Sequence, residues 1–174
     1  MLTSKTILFL AIAGASTAAV AAQSDSPPPK AFVEKAAQDG MTEVELGKVA
    51  LEKSRNPEVR SFAQRMVTDH GKANAELATI AASKGIEAPK ELDAEHQAMV
   101  EAITAKSGTE FDREYSQHMN MDHSKAIALF ESASKTSDPD LAGFAKKTLP
   151  TLKEHKKLAE KLPGKTAHDT PGGR

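Results

Sequence analysis

The chain has no cysteine, no tryptophan and a single tyrosine; aromatic residues make up 4% of its 174 positions. Without cysteine there is no disulfide and no thiolate, so any metal must be held by His, carboxylate or Met. The formal charge of −1 leaves no basic surface of the kind nucleic acid requires. A glycine-rich phosphate loop is missing, and no Ser-His-Asp set is legible. What is plentiful is Ala, Leu, Lys and Glu, residues that favour helix. The balance of 39% hydrophobic and 27% charged residues is that of a soluble globular protein. The length suits one domain.

The start of the chain reads differently. "MLTSKTILFLAIAGASTAAVAA", residues 1–22, has Lys5, an apolar run from Ile7 to Ala13, then small residues ending at Val20-Ala21-Ala22. This is the pattern of a cleaved signal peptide. Its apolar run is too short for a comfortable membrane span. The expectation is an exported, periplasmic mature protein with no transmembrane span. Residues 23–30 read as a polar, proline-rich leader, and 163–174, "PGKTAHDTPGGR", as a disordered tail.

Between them lie four long helical patterns and one short one. Helix one is expected from about Pro29 to Arg55, with Phe32, Ala36, Gly40, Glu43, Gly47 and Ala50 at three- and four-residue spacing. "TEVE" at 42–45 could instead cap a fresh helix after Gly40. Helix two opens at "NPEV", with Asn56 as N-cap and Pro57 in the first position, and stops near Lys84-Gly85. A connection of about 25 residues follows, with a short helix from about Ala94 to Lys106. Helix four begins at "TEFD", a capping-box pattern from Thr109 to Asp112, and runs to about Ser134. Helix five begins at Asp138-Pro139, contains Pro150, where a kink is expected, and ends before Pro163.

The chain echoes itself. "NPEVRSFA" at 56–63 matches "DPDLAGFA" at 138–145 in cap, proline, acid, aliphatic, Phe and Ala. Each opens the second helix of a hairpin. Two hairpins joined by one long connection make a ferritin-like four-helix bundle. An all-antiparallel bundle with an accessory helix at one end is the alternative.

Each long helix carries one ionisable residue on its apolar stripe: Glu43, His70, His123 and His155. They fall 14, 13, 14 and 16 residues after Pro29, Pro57, Thr109 and Pro139 respectively. Side-by-side packing therefore brings them to similar height. A buried carboxylate or imidazole alone costs several kcal/mol, and clustering relieves that cost in two ways. The four can form a self-satisfied hydrogen-bond network, or they can hold a metal ion. Three nitrogens and one oxygen suit zinc, iron or copper, with Glu43 as anionic ligand and the three His as neutral imidazole ligands. The di-iron signature Glu-x-x-His is missing, because Val67, Asn120 and Leu152 stand three before the histidines.

Other polar residues read more weakly. Asp69 and Asp122 flank the histidines and are expected to be exposed, or to support a ligand. Asp112 reads as a cap. Glu114 and His118 form an i,i+4 pair expected on the solvated surface. Tyr115 packs inward with its hydroxyl bonded or at the edge. His96 and His168 receive no role.

At "EVELG" with Glu43, "FAQRMVTDH" ending in His70, "FDREY", His123, and "LPTLKEH" ending in His155, the chain resembles the bacterial envelope proteins grouped as domain of unknown function 4142. The resemblance covers about residues 31–162. It implies a ferritin-like bundle and supplies no activity. The outer-membrane label often given to that family does not suit this chain, which shows neither the alternating strands of a barrel nor a cysteine for lipid. Two functions remain in view. One is an exported bundle that binds a transition metal. The other is a non-enzymatic envelope bundle, stress-related or binding a protein partner, whose Glu/His layer is structural.

Overall fold

The computed structural model describes residues 26–163. The expected signal peptide, most of the leader, the tail beyond Pro163 and His168 lie outside them. All regular structure among the described residues is helical: α1 (Pro29–Lys53), α2 (Pro57–Ser83), α3 (Ala94–Thr104), α4 (Gly108–Ala133) and α5 (Pro139–Ala159). No described helix is long and apolar enough to cross a membrane.

The two matching octapeptides do the same work. Asn56 Oδ1 accepts from the backbone N–H groups of Glu58 (2.8 Å) and Val59 (3.2 Å). Asp138 Oδ1 accepts from those of Asp140 and Leu141, both at 3.1 Å. Each cap satisfies donors that the first helical turn leaves free. Helix α2 stops as its sequence predicts. Gly85 has φ +67°, and Ile86 N–H bonds back to Ala81 O at 2.9 Å, a Schellman turn. Lys84 then bridges Asp138 and Asp140, at 2.8 Å each, tying the end of α2 to the start of α5.

Two expectations fail. Thr109 is not the cap of α4. The helix already includes Gly108, after Ser107, whose side chain makes no capping bond. Gly40 breaks nothing, because α1 runs through it. A Cβ there would stand 2.2 Å from Asn74 Oδ1, so the glycine admits the α2 side chain rather than a turn. Helix α5 contains Pro150, as expected.

The packing fixes the topology. Phe32 near the start of α1 packs edge-on against Phe130 near the end of α4 and Phe144 near the start of α5. Leu77 and Ala81, late in α2, join the same apolar cluster. The opposite end is built from Leu46 and Ala50 of α1, Phe62 and Met66 of α2, Phe111, Tyr115 and Met119 of α4, and Ala159 of α5. Helix α2 is therefore parallel to α4, and the chain between them travels the length of the bundle. Ile86 packs at the first end, Val100 and Ile103 at the second. This is the ferritin-like crossover, and it excludes the all-antiparallel alternative. Gln38 of α1 pins the crossover by donating to Glu91 O (3.1 Å) and accepting from Asp93 N–H (3.0 Å).

Candidate metal centre

Between the two apolar clusters lies one polar layer. Glu43, His70, His123 and His155, one from each long helix, are 1%, 7%, 0% and 1% exposed. The imidazole centroids are 5.3–5.4 Å apart in every pair. One nitrogen from each ring lies within 4.8 Å of one from each other ring. Glu43 reaches two of the rings, with Oε2 2.7 Å from His70 Nδ1 and Oε1 3.2 Å from His123 Nδ1. Close helix approach makes this possible. Gly47, one turn along α1, sits where a Cβ would be 3.1 Å from Ala63 O of α2. Phe62 roofs the layer, edge-on to both His123 and His155.

Hydrogen-bond partners outside the layer orient the rings. His123 Nδ1 donates to Met119 O at 2.8 Å. His155 Nε2 donates to Asp69 Oδ2 at 3.0 Å. These bonds leave His123 Nε2 and His155 Nδ1 as lone pairs. His70 Nε2 stands 3.3 Å from His155 Nδ1, and its proton depends on Glu43. If Glu43 carries the proton, it donates to His70 Nδ1, and His70 Nε2–H donates to His155. If Glu43 is ionised, His70 Nδ1–H donates to it, and two imidazole lone pairs face each other at 3.3 Å. A metal ion, or an added proton, between the two nitrogens relieves the second arrangement.

Burial sets the charge states. It pushes Glu43 up from 4.5 to about 7, with His123 pulling it back and Asp39 adding to the rise. It pushes His70 and His155 down from 6.5 to about 4, against the nearby Asp69 in both cases. His123 is lowered as well, again by burial first, with Glu43 opposing. At neutral pH the three imidazoles are neutral and ligand-ready, and Glu43 can hold or release a proton.

Three polar atoms of this region have no hydrogen-bond partner: Glu43 Oε1, His123 Nε2 and the Tyr115 hydroxyl. Such orphans call for an explanation. The tyrosine is fully buried, so its hydroxyl is neither bonded nor at the edge. Burial and the neighbouring Glu43 raise its pKa. A small cavity of about 20 Å³, lined among others by Gly40, Glu43, His70 and Asn74, has room for one water.

Several neighbours sit where the sequence did not put them. Asp69 is not one of these: read as exposed or as supporting a ligand, it has 36% of its side chain exposed and supports His155. Asp122 and His118, expected at the surface, are 8% and 7% exposed. Asp112 is 9% exposed with Oδ1 unpartnered, so capping does not explain it. His96 is engaged by two aspartates. The cause is α4, which buries a second face against α1 and α3. The signal was the i,i+4 pair His118/Asp122 running beside the apolar stripe.

The family called Domain of unknown function (DUF4142) matches residues 14–162, and the chain belongs to it. Solved structures share the fold at low identity. A DUF305 fragment from Deinococcus radiodurans is 18% identical, with 78% of this chain and 95% of that chain covered and a TM-score of 0.67. CopM in the Cu(I)-bound form is 16% identical, with the same coverages and a TM-score of 0.65. CopM in the Cu(II)-bound form is 17% identical, again with 78% and 95% covered, at a TM-score of 0.66. No curated protein matches the chain in sequence.

Proposed function

We propose that this member of the DUF4142 family is an exported protein that binds one transition-metal ion at the central layer, with His70, His123 and His155 as imidazole ligands and Glu43 as the anionic ligand. The observation that carries the reading is His123 Nε2. It is a buried lone pair without a partner, on a ring whose other nitrogen is committed to Met119 O, beside two further imidazoles within ligand distance. A metal-free network can pair Glu43 Oε2, His70 and His155 but leaves this atom, and Glu43 Oε1 with it, orphaned. The donor set suits zinc, copper or iron. Copper is the first ion to try, because CopM, similar in fold, is known in Cu(I)-, Cu(II)- and Ag-bound forms. A bound ion would supply Lewis acidity or redox capacity. This chain's residues orient the rings, exclude water and take up or release the Glu43 proton.

The structural reading keeps one observation of its own. With Glu43 protonated, the run Glu43–His70–His155–Asp69 is a continuous hydrogen-bond chain. On that reading the layer fixes helix register in a partner-binding or stress-related bundle. Untagged protein isolated from the periplasm decides between the two. Near-stoichiometric metal by elemental analysis, lost in His123→Leu, supports the metal centre. If no metal is found, and zinc, copper and iron leave the melting temperature unchanged, the centre is structural.

A further inference from the structure

At the end of the bundle where the crossover arrives, the two helix seams are treated differently. On one side α3 packs against α1 and α4 and adds Val100 and Ile103 to their apolar cluster. On the other, between α2 and α5, the described residues leave a cleft of about 420 Å³, walled from α2 by Phe62 and Arg65 and from the end of α5 by Leu158 and Leu162. Phe62 borders both this cleft and the central layer. Its ring centroid lies 6.2 Å from that of His123 and 6.3 Å from that of His155. We propose that the cleft is the entrance to the central layer and Phe62 its door: the ring swings outward into the cleft and lets an ion pass to the histidines. This deepens the metal reading above and rests on it.

Something must move for the layer to load, because His123 and His155 are 0% and 1% exposed and Phe62 itself only 3%. Two other approaches serve less well. The cavity beside Gly40, at about 20 Å³, takes one water and no hydrated ion. The partly exposed Asp69 leads to His155 Nε2, the nitrogen that already donates to it, whereas the lone pairs left for a metal are His155 Nδ1 and His123 Nε2. The cleft has what a door needs. It has room for the displaced ring. Edge-on contacts with Tyr115, His123 and His155 hold that ring shut, and opening is a change between staggered rotamers rather than an unfolding step. Oxygen donors stand outside. Arg65 pairs across the seam with Glu154 at 3.2 Å, and Asp69 lies one turn further along α2. Both carboxylates reach solvent, so a cation meets them before the ring opens.

The test blocks the door in one variant and removes it in another. Ser61 is exposed on the cleft wall, so Ser61→Trp fills the cleft without touching the core. Phe62→Leu opens the way while keeping the position apolar. Stopped-flow mixing of chelated, untagged protein with cobalt(II) reads uptake by visible absorption, and mixing the loaded protein with excess chelator reads release. Phe62→Leu should speed both at least about tenfold and Ser61→Trp should slow both by a similar factor, with Kd nearly unchanged, since edge-on ring contacts of ordinary strength at a barrier are worth rate factors of that size. Phe32→Leu, a like loss in the opposite apolar cluster, should leave the rates at wild type, which separates opening from general loosening. In metal-free protein, modification of His123 and His155 by diethyl pyrocarbonate, mapped by mass spectrometry, should follow the same order. If wild type takes up no metal, the proposed function fails and this labelling alone decides whether the cleft leads to the layer. Rates and labelling in Ser61→Trp equal to those of wild type refute the entrance, as does a Phe62→Leu protein whose only change is faster release.

Discussion

Replacing Glu43 by Gln should act with opposite sign on the two states of the central layer. Burial raises Glu43 from 4.5 to about 7. A rise of about 2.5 corresponds to about 3.4 kcal/mol of preference for the neutral carboxyl in the folded protein. Because the folded value lies above the unfolded one, this contribution is complete below about pH 4.5 and is lost as pH rises through 7. At pH 8 the metal-free wild type therefore bears most of that cost. Gln is neutral at every pH, and its amide can donate to His70 Nδ1 as the protonated acid does. After allowance for a weaker hydrogen bond, metal-free Glu43→Gln should be more stable than wild type by about 1–3 kcal/mol at pH 8. At pH 5 the difference should shrink to less than about 0.5 kcal/mol. Urea denaturation in the presence of chelator reads both values. Added copper or zinc should reverse the order. At a hundredfold excess over Kd the wild type gains about 2.7 kcal/mol, whereas the variant, without its anionic ligand, gains little. Wild-type binding should also release about one proton per ion below pH 7, and the variant's should not. A metal-free variant less stable than wild type at pH 8, or one stabilised equally by metal, would refute the reasoning.

Four further outcomes are expected. Asp69→Asn removes the carboxylate that holds His155 Nε2; metal affinity by calorimetry should fall about 10–100-fold with helical content unchanged. Gly47→Ala places a Cβ 2.9 Å from Val67 Cγ2 and 3.1 Å from Ala63 O, so α1 and α2 must separate at a loss of about 1–3 kcal/mol. Gly71→Ala meets nothing within 4 Å and should stabilise by about 0.5–1 kcal/mol, which thermal unfolding of the pair will show. The metal-free protein should lose stability as pH falls from 6.5 to about 4. Over that range unfolded His70, His118 and His155 take up protons that their folded forms, lowered to about 4, refuse. Glu43 and Asp122, both raised to about 7, oppose the trend in part. A pH series of urea midpoints that rises toward pH 4 would contradict this.

The helices and the central layer were legible because each depends on local pattern. Caps at Asn56 and Asp138, a glycine stop at Gly85 and one polar interruption per apolar stripe are all written within a helical turn or two. The register of the four interruptions could be counted from helix starts. That count tolerated the one-residue error at the start of α4, because the layer is about one turn deep. The outer groups were not legible for a geometric reason. A single stripe per helix was assumed, whereas α4 is covered on a second side by α1 and the crossover. His118, Asp122 and Asp112 lie on that side, and nothing local announces that a distant connection will lie across them. The proton on Glu43 was equally out of reach, since it depends on distances between four helices.

Two inner ligands, Glu43 and His70, belong to the first hairpin; His123 and His155 belong to the second. An ion at the centre would thus clasp two halves that are otherwise joined by apolar contact, the crossover strap, the contacts of His155 with His70 and Asp69, and surface ion pairs such as Lys84 with Asp138 and Asp140. Removing it would leave each half folded on itself while loosening the seam between them. Chelation should therefore appear first as faster amide exchange where the hairpins meet, before any loss of helix.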